Sequence, residues 1–424
     1  MIAFVRLAAR SAWARRLTLA LMVGAVALST LIMLATERLR HDVRLSFSNA
    51  LSGTDLVVGA RGSPTQLILH TVFHIGQPVQ AVSLSRIEAI AQLPQVAWVV
   101  PVALGDSFAG HPVVAADAAF FERVKVGDRQ PLRFAQGRAF TVAPEAVLGA
   151  QVASRTGLKV GDRITLSHGS GALTESSHDD RPMVVAGILA ASGSPVDRTV
   201  MVSLESWQML HAGWVAGVRP RAGGGPSAAN APAHDSAAQR PPTVSAALVG
   251  LHSRAAVFSV QRAIQSGLQE PLTAALPGVT LDELWRGLGA GEAALRLLTG
   301  LVALASLAGL VSVMLAGLES RRRELAILRS LGASPLALAA LVLAETLIAS
   351  LAGIVLGMAL GAAALALASS WVQTEFGISL GTGLPAPGEW LLIAATVLAG
   401  MLAALLPAWR AWRLSLADGL APRS

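Results

Sequence analysis

Nine histidines and no cysteine bound the chemistry this chain can host. Without a thiol, disulfides and thiolate metal sites are excluded, and any metal site must be built from imidazole and carboxylate. All nine histidines lie between His41 and His252. His70 and His74 are four apart in a stretch that reads as helix, so both can reach one ion from the same face. His168, His178, Asp179 and Asp180 cluster in and around a glycine- and serine-rich segment. These four histidines are weak metal candidates. The plainer account is polar surface, with histidine kept out of apolar spans, and it is preferred: no metal and no cofactor is expected on this chain.

Other reactive signatures are missing. A phosphate-binding loop needs G-x-x-x-x-G-K-[ST]. The only lysines are Lys125 and Lys159, each followed by valine. Neither a G-x-S-x-G elbow nor an H-E-x-x-H helix occurs. The chain is therefore not expected to be an enzyme.

The polar segments must be positioned by a membrane scaffold. The chain is 53% hydrophobic and 14% charged, against about 25% charged in soluble domains. A span needs about 20 apolar residues. Leu17–Ala35 is one; it reads as a retained anchor rather than a cleaved leader, because its apolar run is long and lacks a small-x-small site. The others are residues 297–318, 342–370 and 390–406. The net charge is +7, but the arginines gather at span edges, which favours topology over nucleic-acid binding.

Arginines precede the first span, fill 319–334 and follow the last span, while Val372–Glu389 holds no Lys or Arg. Both termini are then cytoplasmic and residues 37–290 extracytoplasmic. The expected fold class is integral membrane α-helical, four spans, with a large α+β domain inserted between the first and second. Its parts are residues 1–36 (N-terminus and first span), 37–290 (outer domain) and 291–424 (three-span domain). Glu37–Leu51, with Leu39, Val43, Phe47 and Leu51, continues the first span outward, and Leu281–Arg296 runs straight into the second.

Strands are expected at Asp55–Val58, Val96–Leu104, Pro112–Ala116, Arg163–Leu166, Met183–Leu189, Thr199–Val202 and Val244–Leu251. Ser85 and Glu88 form a capping-box pattern opening a helix that ends near Pro94. Arg254–Gln269 reads as another helix. Arg219–Thr243, rich in Gly, Pro, Ala and Ser, reads as a flexible loop. It divides the outer domain into a main body (37–110 and 244–290) and an inserted lobe (111–218). Gly353, Gly357 and Gly361 line one helix face and permit close helix approach, either across a dimer or within one subunit. Glu345 reads as a carboxylate near the cytoplasmic interface, paired or snorkelling rather than relaying protons.

Arg322–Ser334, Arg-Arg-Glu-Leu-Ala-Ile-Leu-Arg-Ser-Leu-Gly-Ala-Ser, resembles the cytoplasmic signature of MacB/FtsX/LolCE-type ABC transporter permeases. Glu345 ahead of a glycine-rich span, and the ending Pro407-Ala-Trp-Arg-Ala-Trp-Arg413, are similar to the same family. Asp55–Gly76 resembles a subgroup of these permeases. The resemblance implies two permease subunits, identical or not, with two copies of a separate ATPase that holds ATP and Mg. It implies mechanotransmission: ATPase closure moves the outer domains. On that reading Arg322, Glu324, Leu325, Ile327, Leu328, Arg329 and Gly332 lie on the ATPase-coupling helix, with the three apolar residues packing into the ATPase groove. The implied role is export or membrane extraction of a hydrophobic, lipoprotein or peptide-like substrate at the plasma (inner) membrane, with a possible extracytoplasmic adaptor. The alternatives are an FtsX-like regulator of a cell-wall hydrolase and a membrane-anchored, metal-dependent enzyme.

Overall fold

A computed structural model of the chain describes residues 16–50, 52–76, 80–127, 129–168, 176–177, 181–211, 242–266, 271–320, 322–376, 381 and 387–413. It divides into a globular unit (Val43–Gly287 with Val372–Ser379) and a helical unit (Met1–Asp42, Leu288–Trp371 and Leu380–Ser424). Helix α1 (Arg16–Asn49) opens the described chain. The expected flexible loop at 219–243 lies outside the described residues, apart from its last two.

The globular unit is built on one mixed sheet. The strands of its main path are β1 (Leu56–Ala60), β2 (Val96–Phe108), β3 (His111–Ala116), β4 (Phe134–Gly137), β5 (Glu145–Leu148), β6 (Met183–Leu189), β7 (Val200–Ser203), β8 (Ala246–Leu251) and β9 (Leu272–Ala275), in the order β9-β1-β8-β2-β3-β7-β5-β6-β4, and the short strands Arg163–Ile164, Ser167–His168 and Ser176–Ser177 pair off that path. The β3–β7 and β5–β6 pairs are parallel and the other neighbours antiparallel.

Alternate residues enter two separate cores. Leu56, Val58, Ala247, Val249, Val200 and Val202 face one; Val57, Ala246, Leu248 and Met201 face the other. Both faces of the sheet are thus covered, which is why these strands read as unbroken apolar runs rather than alternating ones. Helices α3 (Leu84–Ala91), α5 (Ala150–Thr156), α6 (Leu204–His211) and α7 (Val257–Ser266) cover the first face. Helices α2 (Pro64–Phe73), α4 (Ala119–Arg123) and α8 (Pro277–Gly287) cover the second. At the β8–β2 pairing, Gly250 lies opposite Trp98. The indole fills the space a side chain at Gly250 would need.

Several expectations change. The sheet runs on through the β2–β3 hairpin, so the main body and inserted lobe share one sheet. The capping box is not formed: Ser83, not Ser85, is the N-cap of α3, and its hydroxyl bonds Ser85 Oγ (2.8 Å) instead of a helix amide. The Leu281–Arg296 segment is not one helix. It breaks at Leu288, between Gly287 and Gly289, and Leu288 O starts the next helix by accepting from Gly291 N and Glu292 N. Glycine on both sides of that turn removes the side chains that favour helix continuation.

The helical unit holds the membrane-facing part of α1 with α9 (Gly289–Ser320), α10 (Arg322–Ser330), α11 (Pro335–Phe376) and α12 (Pro387–Arg413). Among the described residues, four helices are long and apolar enough to span: Leu19–Phe47, Gly289–Glu319, Pro335–Val372 and Gly388–Arg410. A small shared core of Met22, Val26, Leu310, Met314, Leu338, Val342 and Ala408 takes residues from all four. Leu297, Leu304, Ile348, Val355 and Leu367 are exposed, as a lipid-facing surface requires. At 1.5 Å per residue, α11 extends about 63 Å, roughly twice the hydrocarbon thickness.

Candidate functional site

The arginine-rich elbow folds as a short amphipathic helix with a defined stop. In α10, Leu325 is buried in the helical unit's core and Leu328 is partly buried against that same core. Arg323, Glu324, Ile327 and Ser330 are exposed, as is Leu331 just past the helix. Leu325 is therefore held in the chain's own core and is not available to a partner's groove. The outward apolar side chains are Ile327 and Leu331. Arg322 pairs with Glu319 at 3.5 Å.

Gly332 is not in the helix but ends it. At φ +97° it occupies the left-handed position, with Ala333 N donating to Leu328 O and Gly332 N to Arg329 O, both 3.0 Å. This paired 6→1 and 5→2 arrangement is a Schellman cap. Ser334 then caps α11 by accepting from Ala337 N at 3.2 Å, with Pro335 next in line. The Gly-Ala-Ser-Pro sequence thus stops one helix and starts another within four residues.

The three glycines of α11 resolve as an internal seam. A methyl built on Gly353 would lie 2.7 Å from Val26 Cβ, and one on Gly357 would lie 2.6 Å from Ala27 O. On Gly361 it would sit 3.4 Å from Leu31 Cδ1. All three face α1 of the same chain. Glu345 is half-buried on the same helix.

A charged knot escaped the sequence reading. Arg38 donates to Gly381 O (2.7 and 3.1 Å) and to Glu389 (3.3 and 3.4 Å), while Asp42 accepts from Gly381 N at 2.8 Å. The side chains of Arg38, Asp42 and Glu389 are only 11%, 7% and 6% exposed. It ties α1 to the start of α12. The lone glutamate opening the last span was the available signal.

The histidines divide differently from the sequence grouping. His70 lies in α2, and His74 caps it in a left-handed conformation. Burial lowers the His70 pKa and drives that of His74 down to about 3, with His70 and Arg198 adding to the effect at His74. His178 lies outside the described residues. His168 instead meets two residues not singled out before, Asp106 and His211. His168 Nδ1 is 3.0 Å from Asp106 Oδ1, His211 Nε2 is 3.3 Å from the same oxygen, and the two nitrogens are 3.4 Å apart.

Asp106 sits at a β-bulge where the β2–β3 register shifts, and its side chain is fully buried. Bulges re-aim side chains in this way. His168 lies opposite it on the short strand Ser167–His168, and His211 is the last residue of α6. Burial pulls the His211 pKa down, but the Asp106 carboxylate more than offsets this and raises it. A lone acid within an apolar strand was the one sequence hint.

The globular unit also has a cleft of about 460 Å³ lined by Arg44, Asp55, Arg129, Arg254, Asp282 and Trp285.

The MacB-like periplasmic core domain family matches residues 17–266, and the FtsX-like permease C-terminal family matches residues 296–416. The chain belongs to the MacB/FtsX family of ABC transporter permeases. This permease is accordingly a multi-pass inner-membrane subunit that works with an ABC ATPase. No curated protein matches its sequence. Among solved structures it is similar to the periplasmic region of MacB from Actinobacillus actinomycetemcomitans (12% identity, 55% of this chain and 92% of that one, TM-score 0.32). It is also similar to the extracellular domain of the noncanonic ABC-type transporter YknZ from Gram-positive bacteria (12% identity, 52% and 98%, TM-score 0.29). The family matches, not these likenesses, carry the assignment.

Proposed function

We propose that this permease turns ATP hydrolysis on a separate ATPase subunit into motion of its globular unit, exporting or extracting from the membrane a hydrophobic, lipoprotein or peptide-like substrate. The observation that carries this reading is the outward face of α10, where Arg323, Glu324, Ile327 and Leu331 stand exposed on a helix otherwise anchored by Leu325. An exposed charged and apolar stripe on a rigidly capped helix is a handle for a partner. Helix α1 runs unbroken for 34 residues, Arg16–Asn49.

In this reading both termini and α10 are cytoplasmic, two permease subunits assemble with two ATPase subunits, and ATP and Mg bind only the latter. The test is ATPase stimulation in the reconstituted complex. Glu324→Ala with Ile327→Ala should reduce stimulation by at least tenfold while membrane insertion is preserved. Unchanged stimulation would remove α10 from the coupling path.

A further inference from the structure

The structure assigns a divalent transition-metal site, of the zinc type, to Asp106, His168 and His211 in the globular unit. Among the described residues these are the group of three potential ligands whose donor atoms converge. Two imidazole nitrogens and a carboxylate oxygen bound about 2.0–2.2 Å from a tetrahedral zinc lie roughly 3.3 Å from one another. Here the three edges are 3.0, 3.3 and 3.4 Å. An ion can therefore sit just above the triangle without any ligand moving far.

The outer contacts fit the same purpose. His211 Nδ1 lies 2.8 Å from the Trp207 carbonyl oxygen. A carbonyl only accepts, so Nδ1 carries the hydrogen and neutral His211 turns the lone pair of Nε2 toward Asp106 and His168. A backbone carbonyl fixing the tautomer of a metal-binding histidine is the usual supporting contact. The Trp207 ring packs on the imidazole with centroids 4.3 Å apart, which fixes its plane. Asp106 is fully buried, whereas the His168 side chain is 30% exposed, so the ion can enter from the His168 side and keep a fourth position for water or another ligand. Imidazole and carboxylate together suit zinc, cobalt or nickel rather than calcium or magnesium. A bound ion would staple the β2 bulge, the Ser167–His168 strand and the end of α6, three elements that local sequence does not connect.

The competing description is a carboxylate hydrogen-bonded to two histidines and nothing more. Chelator-treated full-length permease in nanodiscs, titrated with cobalt and then zinc, separates the two. The site predicts one cobalt per chain with the visible absorption of a four-coordinate centre, displaced by zinc. His168→Ala should weaken zinc binding at least 100-fold, and His70→Ala should leave it unchanged. Since His211→Ala or Asp106→Asn can disturb packing, the partly exposed His168 is the primary variant, and its metal-free melting temperature should match that of the metal-free parent. Absence of a visible band and of stoichiometric uptake at micromolar metal, or equal affinity in His168→Ala, would overturn the assignment. The outcome does not depend on ATPase coupling.

Discussion

Adding one methyl group at Gly357 should have the opposite effect from adding it at Gly361, one turn away. At Gly357 the new carbon would lie 2.6 Å from the Ala27 carbonyl oxygen and 2.9 Å from Thr30 Cβ, and Ala27 and Thr30 are 2% and 0% exposed. Neither neighbour is the end of a flexible side chain, so relief requires α11 and α1 to separate by roughly half an ångström or more. Overpacking of this kind costs about 1–3 kcal/mol. Replacing glycine by alanine inside a helix returns about 1 kcal/mol, leaving Gly357→Ala destabilised by about 1 kcal/mol. At Gly361 the methyl meets only Leu31 Cδ1 at 3.4 Å, so Gly361→Ala keeps most of the helix gain. The two variants should differ by about 2 kcal/mol. Reversible denaturant unfolding of the purified permease in micelles, followed by helix signal, measures that gap. If Gly357→Ala is as stable as Gly361→Ala, the two helices do not approach through the Gly357 backbone and the seam is wrongly placed.

Three further outcomes are expected. The globular unit should lose stability as pH falls below about 6.5, because the unfolded chain then protonates His74 whereas the folded one does not until about 3. The loss from this residue alone approaches about 2 kcal/mol at pH 5, and His74→Asn, which tolerates the left-handed backbone, should flatten the pH dependence of the melting temperature by one proton. Arg138 grips the Glu145 carboxylate at 2.6 and 2.9 Å and, with amides of Thr141 and Val142, lowers its pKa to about 2. That contribution is present above pH about 4.5 and fades as pH falls toward 2. Since the pair is partly exposed, Glu145→Gln should lower the melting temperature of the intact chain only modestly at neutral pH; no loss would mean the pair is screened out. Gly332→Ala, with open space around the new methyl but φ +97°, should cost about 1 kcal/mol locally. It should speed amide exchange in the last turn of α10, while an unchanged rate would argue against the Schellman cap.

The spans were legible because about 20 apolar residues in a row have few other uses. The long strands were legible because burial on both faces leaves continuous Val, Ala and Leu runs such as Ala246–Val249. The short ones were not. Leu272–Ala275 is half alanine and carries no β signature of its own; it becomes a strand by pairing with β1. Glu145–Leu148 is too short for periodicity and is set between β6 and β7 by tertiary contact. The Ser85–Glu88 pattern satisfied a rule that the backbone did not use, since the chain turns into α3 two residues earlier. Neighbouring α1 was the missing information for the glycines: their spacing shows that something comes close, not what. The Asp106–His168–His211 group lay furthest out of reach. Its members are separated by 62 and 43 residues, and only the bulge, a cross-strand pairing and a helix end bring them together.

A sheet that is greasy above and below cannot tell up from down by wetting. Sliding one strand by a single residue would merely trade one oily layer for the other, so polarity offers little defence against misthreading. The Trp98 and Gly250 pair supplies that defence by shape. Any shift of β8 by one place would push Val249 or Leu251 into the seat of the indole, and the error would be rejected by collision.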